Sequence, residues 1–152
     1  MERQEMLDII AAWGEIALVN ADPDGGDKYW KPDMIFHGPT GMGELHGTEE
    51  YKDKLLRPWH AAFTGYSDTT EVTVVDEQEQ LVVMHGVATS THTGPFMGIP
   101  ATGRTIQARY MDIWRFEDGL MAENWVAFDM AGLLEQLGGL GELDELPATL
   151  AG

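Results

Sequence analysis

The chain has 152 residues, the usual length of one domain, and its 26 acidic against 9 basic side chains give a formal charge of −17. That charge disfavours nucleic acid and anionic membranes as partners, and the absence of cysteine excludes disulfides, thiolate metal sites and a cysteine nucleophile. No apolar run approaches the roughly 18 residues of a membrane helix, and the first residues do not resemble a signal peptide, so we expect a cytoplasmic protein.

The first predicted element is an amphipathic helix over residues 3 to 19. Its apolar side chains recur at three- and four-residue steps, as on one helix face: Met6, Leu7, Ile9, Ile10, Trp13, Ile16 and Ala17. A polar, glycine-containing segment at residues 20 to 26 ends this helix. Residues 29 to 37 are predicted to form a short extended segment that Pro32 interrupts, followed by a loop over residues 38 to 43.

A second helix is predicted from Thr48 to about residue 64. Thr48 suits an N-cap, Glu49 and Glu50 complement the helix dipole, and apolar residues follow at helical spacing as far as Phe63. From residue 69 the pattern changes to an alternation rich in β-branched residues, which predicts strands at residues 70–76, 80–93, 105–116 and 120–128. The short turns between them predict mainly antiparallel pairing.

A short closing helix is predicted around Leu133, Leu134 and Leu137, and Gly138 and Gly139 end it. The acidic tail that follows, residues 139 to 152, should be loosely held. Helices followed by a run of strands form the α+β pattern, in which helices cover one face of a curved, mainly antiparallel sheet. We therefore expect one domain over residues 1 to 138, with a cone-shaped sheet and N-terminal helices that enclose a pocket.

Several motifs in the second half of the chain resemble the SnoaL-like polyketide cyclases. They are Gly-Ile-Pro-Ala-Thr-Gly-Arg from residue 98, Met-Asp-Ile-Trp-Arg-Phe-Glu-Asp-Gly from residue 111, Glu-Asn-Trp-Val-Ala-Phe-Asp from residue 123 and Leu-Leu-Glu-Gln-Leu-Gly from residue 133. The first helix, Phe36-His37, Gly47-Thr48-Glu49 and residues 91 to 94 fall in the family's order. The resemblance implies the nuclear transport factor 2-like cone with a central pocket, and a homodimer or higher oligomer.

The resemblance also implies a pocket aspartate on the last strand that acts as general acid/base in an intramolecular aldol closure. Val126 stands at that position, so another carboxylate is needed. Asp112 is the candidate, because by resemblance it falls where one type of cyclase carries a pocket histidine. An apolar pocket should raise its pKa toward the range useful for proton transfer, and Asn124 would hold it or polarise a substrate carbonyl. The alternative is an aspartate that is solvated or paired with Arg109 or Arg115.

The hairpin turn between the last two strands decides which side chains face the pocket. A two-residue turn at Asp118-Gly119 would put Asp112 opposite Trp125, whereas a three-residue turn from Glu117 puts it opposite Asn124. We predict the three-residue turn. It places Tyr110, Asp112, Trp114, Ala122, Asn124 and Val126 on the pocket face, and Met111, Ile113, Met121, Glu123 and Trp125 on an outer face that suits a partner subunit.

Two of the five histidines are candidates for the pocket. His37 would bond substrate or shuttle protons at the pocket mouth, or else bond nearby backbone as a loop residue. His85 lies in an apolar strand and is predicted to face the pocket rather than an interface. His92 is predicted at an exposed rim with a structural role, and His46 and His60 at the surface. The spacing of the histidines matches no common metal motif, so we expect no metal.

Large side chains should line the pocket and contact the substrate. The predicted substrate-binding residues are Trp13, Trp30, Leu56, His85, Tyr110, Trp114 and Val126. The helical spacing of Trp13 and Trp59 is also typical of an ordinary core. We therefore expect a small apolar or aromatic molecule as the ligand.

These features favour a cofactor-independent acid/base enzyme, a cyclase, isomerase or hydratase, acting on a small, largely apolar carbonyl or polyketide-like compound. Asp112 would move the proton, while His37 and Asn124 position oxygen atoms. Three alternatives stay open: a non-catalytic binding protein in which Val126 marks lost chemistry, an epoxide-hydrolase-like enzyme in which Asp112 and Asn124 orient water, and an assembly module that uses the outer face.

Overall fold

A computed structural model describes residues 1–139 of the chain. Helix α1 (Arg3–Gly14) continues into a π-helical turn (Glu15–Val19), and a 3-10 turn (Asp27–Tyr29) precedes the sheet. The second helical segment consists of α2 (Gly47–Tyr51), a π-helical turn (Lys52–Leu56) and α3 (Arg57–Ala62). Helix α4 (Met130–Gln136) follows the sheet. Of the predicted tail, residues 139 to 152, all but Gly139 lies outside the described residues.

Six strands form one curved, open sheet within this part of the chain. They are β1 (Trp30–His37), β2 (Glu44–His46), β3 (Phe63–Asp76), β4 (Leu81–His92), β5 (Thr105–Glu117) and β6 (Leu120–Phe128). Their order across the sheet is β2-β1-β6-β5-β4-β3, and the pairs are antiparallel except for the parallel pair of β1 and β6. The predicted α+β class, with N-terminal helices and a mainly antiparallel curved sheet, is confirmed.

Helix α1 forms where the apolar period predicts it. Met6, Ile10, Trp13 and Ala17 follow one another at steps of four, three and four residues, and all are buried in the core between helices and sheet. A second apolar cluster lies beneath α4, around Ile106 and Leu133. None of the helices in residues 1–139 is both long and apolar enough to cross a membrane.

The second helical segment differs from its prediction at both ends. It begins at Gly47, one residue before Thr48, and His46 occupies the capping position, where its backbone N–H donates to the Glu50 carboxylate at 2.7 Å. The segment ends at Ala62, so Phe63 belongs to β3 and pairs with His92 rather than extending the helix. The helical spacing that suggested residue 64 was overridden by the long ladder between β3 and β4.

Pro32 lies inside β1, which runs through it as one strand, so the predicted interruption affects only the pairing of the strand. The pairing of β1 with β6 is irregular between Trp30 and Ile35, so the residue without an amide hydrogen falls where ladder hydrogen bonds are missing. The three-residue strand β2, which pairs with the end of β1, was not predicted because it is too short to show an alternation.

A buried lysine ties the first loop to the second helical segment. Lys52 is only 3% exposed, and its ammonium group contacts Asp27 at 2.6 Å, Glu49 at 2.7 Å and Asp24 at 3.1 Å. Hydrogen bonds to Asp27 and Glu49 raise the pKa of Lys52, so it stays charged. The cluster therefore ties the loop after the first helical segment and the following 3-10 turn to the second helical segment.

The hairpin between β5 and β6 corrects the predicted register. Glu117 pairs with Leu120, so the turn is the two-residue Asp118-Gly119 turn that we did not choose, with positive φ angles of 52° and 81° at its two residues. A bulge then inserts one extra residue in β6, and Asp112 lies opposite Val126 instead of Asn124. The bulge also brings Met121, predicted for the outer face, into the core, where it is fully buried.

Candidate active site

A cavity of about 420 Å³ lies between the inner face of the sheet and the two helical segments. Its volume is within the range of small-molecule sites, about 300–1,000 Å³. The helical side is mostly apolar and includes Leu7, Ile10, Trp13, Leu55, Leu56 and Trp59. The sheet side carries the polar groups of Tyr66, Asp68, Thr70, Tyr110, Asp112 and Asn124. A ligand therefore meets a largely apolar surface, and its polar contacts come mainly from the sheet.

Asp112 stands on the cavity face of β5, with Val126 of β6 directly opposite. Burial raises the pKa of Asp112 to about 7, although the hydrogen bond from Asn124 acts in the opposite direction; the charge of Asp68 adds to the rise. A carboxyl group that titrates near neutral pH can both accept and return a proton. The predicted direction of the pKa shift agrees with this environment.

The two arginines considered as ion-pair partners of Asp112 point away from it. Arg109 contacts Glu71 at 3.0 Å, and Arg115 contacts Glu123 at 2.8 Å. Successive side chains of a strand alternate between its faces, so these odd-numbered neighbours in β5 lie on the outer face. The ion-paired alternative for Asp112 is therefore not what this fold forms.

Asn124 is buried, 2% exposed, and its side-chain amide has two partners. Nδ2 donates to the backbone carbonyl of Ile113 at 3.0 Å and to Oδ1 of Asp112 at 3.3 Å. A side-chain amide has two N–H donors, and the protein uses both. Asn124 is thus arranged to hold Asp112 rather than to donate to a substrate carbonyl, the other role considered from the sequence.

Two tyrosine hydroxyls supply donors that the sequence analysis missed. Tyr51 of α2 and Tyr66 of β3 line the cavity close enough to Asp112 for its charge to raise both pKa values, after the larger effect of burial. Their hydroxyls therefore stay protonated, and neither forms a hydrogen bond with another residue in 1–139. Both are available to a ligand oxygen.

The predicted substrate-binding residues fall into two groups. Trp13, Leu56, Tyr110, Trp114 and Val126 line the cavity together with Asp112 and Asn124. Trp30, in contrast, lies behind the wall, where its ring packs edge-on against Trp13 and at a tilt against Tyr51, with ring centroids 5.6 Å apart in each pair. Trp30 is therefore a core residue that supports the wall, not a surface for the ligand.

His37 and His85 do not reach the cavity. His37 follows the cavity-lining Phe36, so it points to the outer face, where Nε2 lies 2.7 Å from Glu123 and the ring stacks on Trp125 at 5.2 Å. His85 follows the cavity-lining Met84 and likewise faces outward, 3.4 Å from a Glu71 oxygen. Strand alternation places both predicted pocket histidines on the wrong face for that role.

The other histidines are structural or exposed. His92 is completely buried, not at an exposed rim, and its Nδ1 accepts the backbone N–H of Thr102 at 3.2 Å. His60 is half-buried, bonds the Ala17 carbonyl at 2.8 Å, and has its pKa lowered by burial. His46 is exposed, as predicted. Within residues 1–139, no group of three or more His, Asp or Glu side chains is placed to hold a metal ion.

Tyr66, Asp68 and Thr70 form a polar row that the sequence analysis also missed. They alternate along β3, and all three line the cavity. Their period of two was a usable signal, but the strand was predicted to start only at residue 70, because Gly65 and Ser67 are weak strand formers. The long pairing with β4, rather than local propensity, extends β3 back to Phe63.

Comparison with known proteins agrees with this architecture. No curated protein matches the chain. Among solved structures, AclR of Streptomyces galilaeus, a proposed hydroxylase, is 26% identical, with a TM-score of 0.78 over 91% of this chain and 99% of its own. TsrD of Streptomyces laurentii is 27% identical, with a TM-score of 0.79 over 92% and 99%. IdmH of Streptomyces antibioticus, a proposed polyketide cyclase, is 28% identical, with a TM-score of 0.71 over 88% and 98%.

The family match covers most of the described fold. The family model for the SnoaL-like polyketide cyclases matches residues 9–137, from within α1 to just beyond α4. That range includes all six strands, the second helical segment and most of the first. A match of this extent, on this sheet order, shows that the chain belongs to the SnoaL-like polyketide cyclase family.

Proposed function

We propose that this protein is a cofactor-independent acid/base enzyme of the cyclase type, acting on a small, largely apolar carbonyl compound. Family membership and the similarity to IdmH support the cyclase class. The observation that carries the proposal is the setting of Asp112, which stands in the wall of a largely apolar cavity and is held at 3.3 Å by Asn124. Burial gives this carboxyl group a pKa of about 7.

In the proposed reaction, the Asp112 carboxylate removes a proton from the carbon next to a substrate carbonyl. The enolate carbon then attacks a second carbonyl of the same molecule, one carbon–carbon bond forms, and the new alkoxide takes the proton back from Asp112. The atoms balance, and no oxidant or cofactor is consumed. The Tyr51 and Tyr66 hydroxyls support this route because they can donate to the enolate oxygen.

An aryl methyl diketone with three methylene groups between its carbonyls tests the proposal, because attack of the methyl carbon on the aryl ketone closes a six-membered ring. We expect the protein to accelerate closure, followed as absorbance of the conjugated ketone that forms after loss of water. Asp112→Asn should reduce the rate by about 10²–10⁴-fold, the usual contribution of a general base. Asp33→Asn, at an exposed position of β1, is the matched control. Equal rates for Asp112→Asn and the unchanged protein would contradict the proposal.

A non-catalytic binding protein is the second candidate function. The observation that favours it is Val126, which lies opposite Asp112 and has no proton to move where the family resemblance implies an aspartate. The two functions differ in the fate of the diketone. A protein that only binds would return the diketone unchanged after prolonged incubation. Ring closure at no more than the uncatalysed rate would therefore favour binding alone.

A further inference from the structure

A second polar cluster lies on the cavity wall, separate from the pair formed by Asp112 and Asn124. The Tyr110 hydroxyl lies 2.9 Å from Oδ2 of Asp68 and 3.1 Å from the Thr70 hydroxyl, which is 3.3 Å from the same Asp68 oxygen. We call Asp68, Thr70 and Tyr110 the hydroxyl subsite. Asp68 is exposed, so the subsite lies where the cavity opens to solvent.

A glycine in the intervening strand makes this cluster possible. Thr70 of β3 and Tyr110 of β5 both pair with Gly86 of β4, so the tyrosine side chain must cross β4 to reach β3. A Cβ atom at Gly86 would lie 2.3 Å from the Thr69 carbonyl oxygen and 2.8 Å from the Tyr110 hydroxyl, so the backbone of β3 and the tyrosine both exclude a side chain there. Glycine weakens a strand interior and often marks a close approach of other groups. Here it leaves room for the tyrosine hydroxyl over the sheet.

Asp68 retains hydrogen-bonding capacity for a ligand. Tyr110 and Thr70 both contact its Oδ2, and Oδ1 has no hydrogen-bond partner among residues 1–139. An ionised carboxylate only accepts hydrogen bonds, so the group that completes the subsite must be a donor. A hydroxyl group on the ligand satisfies this requirement, whereas an ether or ester oxygen at the same place does not.

The charge of the cavity further restricts which chemical groups the ligand can carry. The side chains from residues 1–139 that line it include the carboxylates of Glu15, Asp68 and Asp112 but no Lys, Arg or His. The nearby cations are engaged elsewhere, Lys52 with its three acidic partners and Arg115 with Glu123. A carboxylate or phosphate on the ligand would thus be desolvated beside like charges without a compensating partner.

We propose that the cavity selects an uncharged ring compound with a carbonyl at one end and a hydroxyl at the other, and that the hydroxyl donates to Oδ1 of Asp68. Asp68 and Asp112, which would hold the two polar ends, lie on β3 and β5, two strand spacings or about 10 Å apart across the sheet. The assignment of the carbonyl end to Asp112 rests on the proposed function. The binding of the hydroxyl end and the exclusion of anions do not.

Three bicyclic ketones that differ only at carbon 6 test the proposal: 6-hydroxy-1-tetralone, 6-methoxy-1-tetralone and 1-tetralone-6-carboxylate. Binding is measured by calorimetry and by quenching of the tryptophan fluorescence, since Trp13, Trp59 and Trp114 line the cavity. We expect the hydroxy compound to bind about tenfold more tightly than the methoxy compound, as for one hydrogen bond to a charged group. The carboxylate should bind at least about tenfold more weakly than the hydroxy compound.

Substitutions in the subsite should change the ratios of affinity between these compounds in defined directions. In Asp68→Asn, the affinities for the hydroxy and methoxy compounds should differ by no more than about twofold. The carboxylate should also bind less weakly relative to the hydroxy compound than it does to the unchanged protein. Tyr110→Phe should weaken the preference for the hydroxy compound without admitting the carboxylate, because the charge remains. Glu71→Gln makes the same change of charge on the outer side of β3, where Glu71 contacts Arg109, and should leave both ratios unchanged.

The outcomes separate this inference from the proposed function. Equal or tighter binding of the carboxylate, unchanged ratios in Asp68→Asn, or no binding of the hydroxy compound would each overturn the hydroxyl subsite. Asp112→Asn should keep the preference for hydroxy over methoxy while it removes turnover of the diketone. If Asp112→Asn keeps turnover as well, the proposed function fails and the hydroxyl subsite stands.

Discussion

The Asn124 side chain donates to Oδ1 of Asp112 across the β5–β6 pair, 3.3 Å away, and its second N–H is held by the Ile113 carbonyl at 3.0 Å. The amide bonds the ionised form of Asp112 and so lowers its pKa, while burial raises it by more, to about 7. Two opposing effects therefore set the pKa of Asp112, and substitution of Asn124 removes the one that lowers it.

The first prediction concerns the pH dependence of stability. The pKa of Asp112 is about 7 in the folded protein against an ordinary value of 3.8, so between these values the folded state binds more protons than the unfolded chain. The contribution of Asp112 to stability is complete below about pH 4 and is lost as the pH rises through 7. Asp112→Asn removes this loss of stability. The pKa difference corresponds to about 4 kcal/mol, and this is an upper limit because the side chain is not fully enclosed.

Urea unfolding between pH 4 and pH 8 measures this difference. The free energy of unfolding of Asp112→Asn minus that of the unchanged protein should increase with pH and level off above about pH 7. Asp33→Asn, at an exposed site, provides the comparison. A difference for Asp112→Asn that stays constant with pH would show that the carboxyl titrates normally.

The second prediction concerns Asn124. Asn124→Leu removes the donor to Asp112 and should raise the pKa of Asp112 above about 7, by roughly half a unit to one unit for a hydrogen bond of about 1 kcal/mol. The rise of kcat/KM with pH should move by the same amount. NMR titration of the Asp112 carboxyl carbon checks it without a substrate. An unchanged pKa of Asp112 would mean that only the hydrogen bond from Asn124 to the Ile113 carbonyl matters.

The third prediction places a carboxylate at the position where the family resemblance implies one. Val126 lies directly opposite Asp112, and residues paired in this way have Cα atoms about 4.5–5.5 Å apart. Val126→Asp should couple the two carboxyls and push one pKa above that of Asp112 alone. Relative to Val126→Asn, the variant should lose about 1–3 kcal/mol of stability at pH 8 and recover near pH 4. Equal stability at both pH values would place the new side chain outside the cavity.

The fourth prediction concerns Lys52, the buried lysine that ties the first loop to the second helical segment. Lys52→Met should destabilise the protein by about 1–3 kcal/mol, because three carboxylates lose their shared cation. Lys54→Met is the control, since Lys54 lies on the exposed side of the same segment and, within residues 1–139, pairs with Glu50 alone. Thermal unfolding should separate the two variants by several degrees. Similar melting temperatures would show that the Lys52 cluster adds no more than a surface pair.

The fifth prediction concerns assembly, where we propose a homodimer through the outer face of the sheet. Exposed apolar side chains from residues 1–139 lie on that face: Val72 (51% exposed), Val74 (55%) and Met111 (46%). Met111→Glu should convert the dimer to a monomer in light scattering after gel filtration. Met97→Glu, at an equally exposed loop site, should not. A monomeric unchanged protein would contradict the homodimer.

Local patterns determined most of the elements of this protein. The three- and four-residue steps of Met6, Ile10 and Trp13 placed α1, and the β-branched alternation placed the strand that ends with Phe128 at its correct bounds. The motifs from residue 98 onward resembled the family that the comparison shows. The composition of the cavity was partly predictable too, because Trp13, Leu56 and Trp114 carry their helical or strand spacing in the sequence.

Tertiary structure decided which polar groups meet. One extra residue in β6 set Asp112 opposite Val126, and strand alternation turned His37 and His85 outward. A bulge adds only one residue, yet a shift of one residue exchanges the two faces of a strand, so the hairpin sequence alone did not determine the register. The hydroxyl subsite joins residues 68 and 110 across β4, and only the pairing of three strands brings them together.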